Sequence, residues 1–544
     1  MTKNDLRIDI LGTSIAISAD EEPEYLRALL SRYREAVEKV QRIAGLKDPL
    51  KIAVLTGFLL CDDLQKAGNT AFGERDLSDV ERLTLGMISR LDEVLKAPPQ
   101  EAAAEPEPEP EPEAEAGVEA SAAGQLPLAA VFKLQNTVKH YEWGSPEWIP
   151  ALLGQKNVSR LPYAELWMGA HPAGPSRATL GGKESVPLPE LIAGDPEAFL
   201  GTEAAKNSGR LSFLQKVLAA AKPLSIQAHP NRTQAREGFD RENREGIPLD
   251  APDRNYRDSN HKPEILCALT PFVALCGFRE AQNINYLLSI LSEDTGRADN
   301  ADALRAGFKS LVSALEWEGE HPLKAFLAAL FSLDEEARAA LGPFIQSRQP
   351  RLEKDFPEYR DEWALCSYLA GLYPRDPGII APLYLNVVKL APGQAIYLPP
   401  GVLHAYIHGM GVELMADSDN VLRGGLTSKY VDSHELLRIL EFSPYTPDIL
   451  AIPEPEPEWF TYPAPAEGEF ALSVMRGRDS SLPYCQSGAS IVLVTEGEAV
   501  LSSPAARGGG TEVEMVLSKG QSVFIGAGTS LVFSGTFTAY AASS

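Results

Sequence analysis

The chain has 544 residues, 44% apolar and 23% charged, more than one hydrophobic core organises, so several soluble domains are expected. A net charge of −25 argues against a nucleic-acid partner or an anionic membrane surface, while leaving room for a local basic pocket that holds an anionic small molecule. No apolar stretch is long enough to cross a bilayer, MTKNDLRIDILGTS lacks the apolar core of a secretory signal, and five dispersed cysteines without CxxC spacing oppose a disulfide framework; a cytoplasmic location is expected.

LRIDILGTSIAIS alternates apolar and polar residues on either side of Gly12-Thr13, the pattern of a β-hairpin. The period then lengthens. Leu26, Leu30, Tyr33, Val37 and Val40 recur at helical spacing up to Gly45, and LKDPLKIAVLTGFLLCDDLQKAG opens a second helix. Leu77, Val80, Thr84, Met87, Leu91 and Val94 keep three-four spacing for about three heptads, which predicts a coiled coil. Because that seam has no partner in its own module, a homo-oligomer is expected; the plainer alternative is an amphipathic helix folded onto its own small domain. Over residues 5 to 96 the hairpin, the amphipathic helix, the segment DPLKIAVLTGFLLCDDL and the coiled coil resemble the ZapA family of bacterial division-ring proteins. The resemblance implies a dimer or tetramer able to bind the tubulin-like division protein FtsZ, and is equally compatible with a bare oligomerisation tag. A small α+β module over 1–96 is therefore predicted. Residues 97–126 alternate Glu and Pro with no basic residue between Lys96 and Lys133, and their few apolar side chains cannot offset the entropy of ordering. They read as a disordered, extended linker.

Beyond the linker, KPLSIQAHPN (Lys222–Asn231) sets Gln227 and His229 two apart in an apolar run, where a strand would turn both to one face. A pair satisfied by neighbouring backbone groups is the ordinary explanation, unless other residues converge on it. SNHKPEIL places Glu264 at the start of an apolar strand, and TPFVALCGFRE continues in sheet. From Ala281 to Tyr373 the segments INYLLSILSE, ADALRAGFKSLVSAL and HPLKAFLAALFSL have periods of three and four, which predicts an all-helical insertion. GQAIYLPPGVLHAYIHGMGVELM then reads as a strand, a Pro-Gly turn and a second strand headed by His404, with spacing that resembles the cupin β-barrel metal motif. Pro399 and Gly401 reverse the chain so that His404 points back into the barrel. LAPGQAIYLPPGVLHAYI aligns without gaps with LSKGQSVFIGAGTSLVFS, which has Leu531 where His404 stands, and no histidine follows His434. The expectation is a mainly β part with two cupin jelly rolls. One is a catalytic domain over 127–280 and 374–440, interrupted by helices at 281–373, and the other a metal-free copy over 441–544.

Gln227, His229, Glu264 and His404 offer O, N, O and N donors, a set suited to one Zn2+ per chain with an open position. QAHP, NHKPE, LPPGVLHAY and DNVLRGGLTSKYVD, preceded by LQNTVKHYEWGS and YAELWMGAHPAGPS, resemble the type I mannose-6-phosphate isomerase family from Leu134 to the end of the chain. The resemblance implies zinc on those four residues and a phosphosugar substrate whose aldose and ketose forms exchange a proton between C2 and C1 through a cis-enediol. It assigns Arg423 to the charge of that intermediate, and Lys216, Ser225 and Lys429 to the phosphate. Lys262, two residues from Glu264, is the candidate base, and His261 and Asp419 are candidates for ring opening. Two histidines and a carboxylate also suit an iron(II) oxygenase, and an idle isomerase fold carrying the division module is a third reading. Gln227 weighs against the oxygenase, and the undamaged ligand set against the idle carrier.

Overall fold

The computed structural model describes residues 4–10, 13–19, Tyr33, Val37 and 130–544, apart from 181–183, 298–300, 318, 320, 466–468 and 504–513. The chain divides into two units, Met1–Ser121 and Ala122–Ser544. In the first, β1 (Asn4–Ile10) and β2 (Thr13–Ala19) form the expected antiparallel hairpin, with Ile10 opposite Thr13. Tyr33 and Val37 are helical, one turn apart, and Val37 is buried. The remaining helical positions, the Leu77–Val94 seam and the linker at 97–126 lie outside the described residues.

The second unit contains two large antiparallel sheets, their strands numbered along the chain. The first sheet holds β4 (Thr137–Lys139), β5 (Glu165–Met168), β8 (Phe213–Ala220), β9 (Ile226–Ala228) and β10 (Glu264–Ala268). It is completed by β11 (Phe272–Phe278), β12 (Leu385–Leu390), β13 (Ala395–Leu398), β14 (His404–Ala416) and β15 (Leu422–Gly425). Its main path runs β12-β11-β14-β8-β5-β4, with β10 joining β13 to β14 and β9 joining β14 to β15. Strand β14 changes neighbours along its length: His404–His408 lie on β11, and Gly409–Ala416 on β8. The switch falls at Gly409, whose φ of 131° and whose place 2.6 Å from Phe272 for any added Cβ leave room for glycine alone.

The second sheet contains β3 (Val131–Gln135), β6 (Arg177–Leu180), β7 (Glu184–Pro187), β16 (Trp459–Thr461) and β17 (Ala471–Tyr484). With them are β18 (Ser490–Ser502), β19 (Glu514–Ser518), β20 (Ser522–Ile525) and β21 (Leu531–Ser543). Here the structure departs from the expected boundaries: β3 and the β6-β7 pair extend this sheet through β20, so it draws strands from both sides of the first sheet in sequence. The reason is edge protection. Strand β20 would otherwise present unpaired backbone groups, and β3 covers them while burying Val131 and Leu134.

Both faces of the first sheet are covered, which is why its strands read as continuous apolar runs. On β8 and β10, Val217, Ala219, Ile265 and Cys267 pack with Leu472, Ile491 and Phe524 of the second sheet. The alternating set Leu218, Leu266 and Ala268 faces the interior with Leu398 and Tyr406, and Glu264 and Lys216 share that inner face. Helices Ala281–Glu293, Ala301–Leu315, Pro322–Phe331, Glu335–Asp355 and Arg360–Leu372 fill the 281–373 interval. Their buried Leu287, Leu291, Phe308 and Phe326 join one core with Ile226, Ala228, Leu403 and Ala405. These helices therefore support the outer face of β9 and β14, and Gln227 and His404 project from the opposite face. At about 1.5–3 kcal/mol per buried large side chain, this backing fixes the two strands firmly.

The internal repeat is visible element by element. Gly393 and Gly520 take φ of 84° and 81°. Gln394 accepts the Ala391 amide at 2.8 Å, and Gln521 accepts the Ser518 amide at 3.0 Å. Strand β14 starts at His404 as β21 starts at Leu531.

Candidate metal centre and active site

Gln227 and His229 sit at the end of β9, where Pro230 stops the ladder and Asn231 caps the helix Arg232–Arg244 in a reciprocal box with Gln234. The His229 carbonyl accepts the Gly401 amide at 2.8 Å, tying it to the turn that delivers His404. Gly401 holds that turn with φ of 82°. His404 opens β14 directly opposite Gln227, and Gln227 is in turn opposite Arg423 on β15. Directly opposed residues of antiparallel strands point to one face, so Gln227, His404 and Arg423 line the same wall.

His229, Glu264 and His404 are almost wholly buried, and one donor atom from each lies within 4.8 Å of the others. His229 donates its Nδ1 hydrogen to the Asn420 carbonyl at 2.7 Å, and His404 donates its own to the Val402 carbonyl at 3.0 Å. Each imidazole is thereby fixed with a bare Nε2 turned inward, as metal-ligating histidines are. Those two Nε2 atoms and Glu264 Oε2 have no hydrogen-bond partner, which buried polar atoms do not tolerate without a reason. His229 Nε2 to Glu264 Oε1 and His404 Nε2 to Glu264 Oε2 are both 3.4 Å. A tetrahedral ion with ligands at about 2.0–2.1 Å requires donor separations of about 3.3 Å, so the cluster fits zinc. Burial, helped by the Lys262 charge, pushes the His229 imidazole down to about 4, so it is neutral and ready to ligate at physiological pH. Glu264 is held well below the usual carboxylate range: burial acts against ionisation, and the Lys262 ammonium outweighs it.

Lys262 Nζ lies 2.9 Å from Glu264 Oε1. Asn420, wholly buried, links the loop before Glu264 to His229: its side chain accepts the Arg257 amide at 2.7 Å and donates to the Asn260 carbonyl at 2.8 Å. His261 is turned to Glu469 Oε1 and Arg232 Nη2, both 3.0 Å away. Lys216 is enclosed, 3.0 Å from Glu413 and 3.7 Å from Glu165, and these carboxylates hold its ammonium above the ordinary lysine range although burial acts the other way. Arg423 and Lys429 are lowered, first by burial; Arg257 repels Arg423, and Arg423 and Arg257 repel Lys429. Ser225 is half-buried just before β9. Asp419 has its side chain 43% exposed and pairs with His171 at 3.2 Å.

Sequence reasoning overlooked Glu165, Glu413, His171, Asn420, Glu469 and Arg257. A signal existed for Glu413, a carboxylate inside the apolar stretch GMGVELM. None existed for Glu469, which arrives from the far end of the chain.

A family model for the catalytic domain of type I phosphomannose isomerase matches residues 131–281, and one for cell division protein ZapA matches residues 6–97. The mannose-6-phosphate isomerase of Salmonella typhimurium is 40% identical over 407 residues, covering 74% of this chain and 96% of that one. The Escherichia coli enzyme of the same name is 37% identical over 401 residues, with the same coverage. Among solved structures, zinc-bound mannose 6-phosphate isomerase superposes with a TM-score of 0.66 at 36% identity, covering 76% of this chain and 99% of that chain. The Salmonella typhimurium enzyme bound to zinc and its substrate fructose 6-phosphate gives the same TM-score, identity and coverage. With that identity along nearly the whole length of its relatives, and with the donor cluster intact, the chain belongs to the type I mannose-6-phosphate isomerase family.

Proposed function

We propose that residues 127–544 interconvert D-mannose 6-phosphate and D-fructose 6-phosphate through a cis-enediol, in a zinc-dependent cupin barrel. The observation that carries this reading is the set of partnerless buried donors, His229 Nε2, Glu264 Oε2 and His404 Nε2, on a wall shared with Gln227 and Arg423. Gln227, His229, Glu264 and His404 would hold the zinc, which would supply positive charge for the sugar oxygen that becomes anionic. Arg423 adds a cation that needs no deprotonation for the same charge. Lys262, held beside Glu264, carries the proton between C1 and C2. Asp419 and His261 serve ring opening, Asp419 through a side chain that is 43% exposed.

The phosphate is bound through Lys429 and Ser225, with Arg257 adding charge beside Lys429. Lys216, already balanced by two carboxylates, acts by fixing Glu413 and Glu165. The iron(II) reading is disfavoured by Gln227 opposite His404 and by zinc in the related structures. The ZapA-like module makes the enzyme a homo-oligomer in the cytoplasm, and FtsZ is the partner to assay.

Turnover of mannose 6-phosphate by purified full-length protein tests the catalytic reading. Chelation should abolish it and Zn2+ restore it. Arg423→Ala should retain zinc while kcat falls by about 10²–10³-fold, as for loss of a group facing transition-state charge. Undiminished turnover after complete metal removal, or an unchanged kcat in the arginine variant, contradicts the assignment.

A further inference from the structure

The loop Gly169–Ser176 is closed at its base, with the Ser176 amide donating to the Gly169 carbonyl at 2.9 Å and the Gly169 amide to Ser176 Oγ at 3.1 Å. Within it, the Gly174 amide donates to the His171 carbonyl at 3.0 Å, and Lys139 Nζ donates to the Ala173 carbonyl at 2.6 Å. The ring of His171 is 5% exposed and meets Trp167 edge to face, with centroids 5.0 Å apart. Trp167 is itself held by a 2.8 Å bond from its Nε1 to Glu165. The imidazole thus has little freedom to turn.

Its tautomer is also determined. The Ala173 amide can only donate, and it donates to His171 Nδ1 at 3.2 Å. In the neutral ring the proton then resides on Nε2, which lies 3.2 Å from Asp419 Oδ2. Among the described residues, no other group donates a hydrogen bond to the Asp419 carboxylate.

We propose that His171 is a positioning residue, whose Nε2–H, set by the Ala173 amide, holds the Asp419 carboxylate in the orientation that ring opening uses. The proposal rests on the reading of Asp419 as a participant in that step. Its electrostatic setting agrees. Asp258 and Asp417 place like charges around Asp419, and Tyr141 borders it, while Lys262 and Lys216 oppose them. Burial alone would raise the carboxyl, yet the His171 hydrogen bond and the two lysines leave it below its ordinary value.

The test compares His171→Leu, His171→Gln and Asp419→Asn in the zinc-loaded, full-length enzyme, reading kcat, KM, zinc content and the pH profile. His171→Leu should keep zinc and KM, lower kcat about tenfold or more, as expected for loss of a hydrogen bond to a charged group, and move the acid limb of kcat to higher pH. His171→Gln, whose amide N–H2 reaches the place of Nε2–H, should restore most of kcat and the acid limb. If Asp419→Asn is inactive while His171→Leu keeps the wild-type kcat and acid limb, the positioning role is wrong. A loss of kcat in both histidine variants with an unshifted acid limb also overturns it, since that is the mark of a merely structural ring. Full activity in Asp419→Asn overturns the reading of Asp419 itself, a distinct result.

Discussion

A single side chain shows how burial and partnership divide the work at the metal centre. His229 is neutral in the folded chain down to about pH 4, whereas an unfolded imidazole takes a proton near 6.5. Between those values the unfolded state binds more protons. Stability of the metal-free protein is therefore fully present above about pH 6.5 and falls by roughly 3 kcal/mol as pH drops to about 4. Denaturant unfolding of chelator-treated wild type and His229→Gln at pH 7 and pH 4.5 measures this; wild type should lose more stability than the variant. At the same scale, His229→Ala, Glu264→Ala, His404→Ala or Gln227→Ala should lose zinc and turnover together, each leaving an incomplete ligand set. Metal analysis of the four purified variants decides it, and a variant that keeps stoichiometric zinc is not missing a ligand.

Among the elements, β14 carries the most consequence, because its first half presents His404 and its second half presents Glu413 to Lys216. Gly409 separates the halves at a φ that side chains resist, with Phe272 against the space a Cβ would need. Gly409→Ala is expected to cost at least about 1–3 kcal/mol from backbone strain alone, before the clash is counted. A lower thermal midpoint with reduced zinc occupancy would trace the damage to the bend that aims His404. An unchanged midpoint would mean the strand bends without needing glycine. The matching turn of the second sheet carries Leu531 in place of the ligand, so the same backbone chemistry serves packing there.

Across the whole molecule, every proposed site residue, from His171 to Lys429, lies inside the Ala122–Ser544 unit. Residues 127–544 should therefore fold and isomerise alone at a kcat close to that of the full chain. Lysines at Met87 and Leu91 of the full chain should lower its oligomeric state and spare turnover, since charge in an apolar seam is costly but lies outside the isomerase unit. Light scattering and a turnover assay on both proteins check this. An inactive fragment would show dependence between the units, and an unaltered oligomer would remove the seam at Leu77–Val94 as its cause.

Local sequence was enough to single out the clustered donors His229, Glu264 and His404 and the helices. Gln227 with His229, Glu264 opening its strand, and His404 after a Pro-Gly turn are short-range patterns whose chemistry depends on spacing alone, and the three-four period from Ala281 to Tyr373 needs no distant partner to be read. What only the tertiary structure decided are pairings between distant segments. Register sets Lys216 against Glu413, the Gly169–Ser176 loop brings His171 to Asp419, and Glu469 reaches His261 across 208 positions. Strand β3 joins β20 rather than its nearest neighbours because an exposed edge elsewhere in the fold had to be covered. Such contacts depend on which strand edges and buried charges remain unsatisfied once the chain has folded, and no window of adjacent residues contains that information.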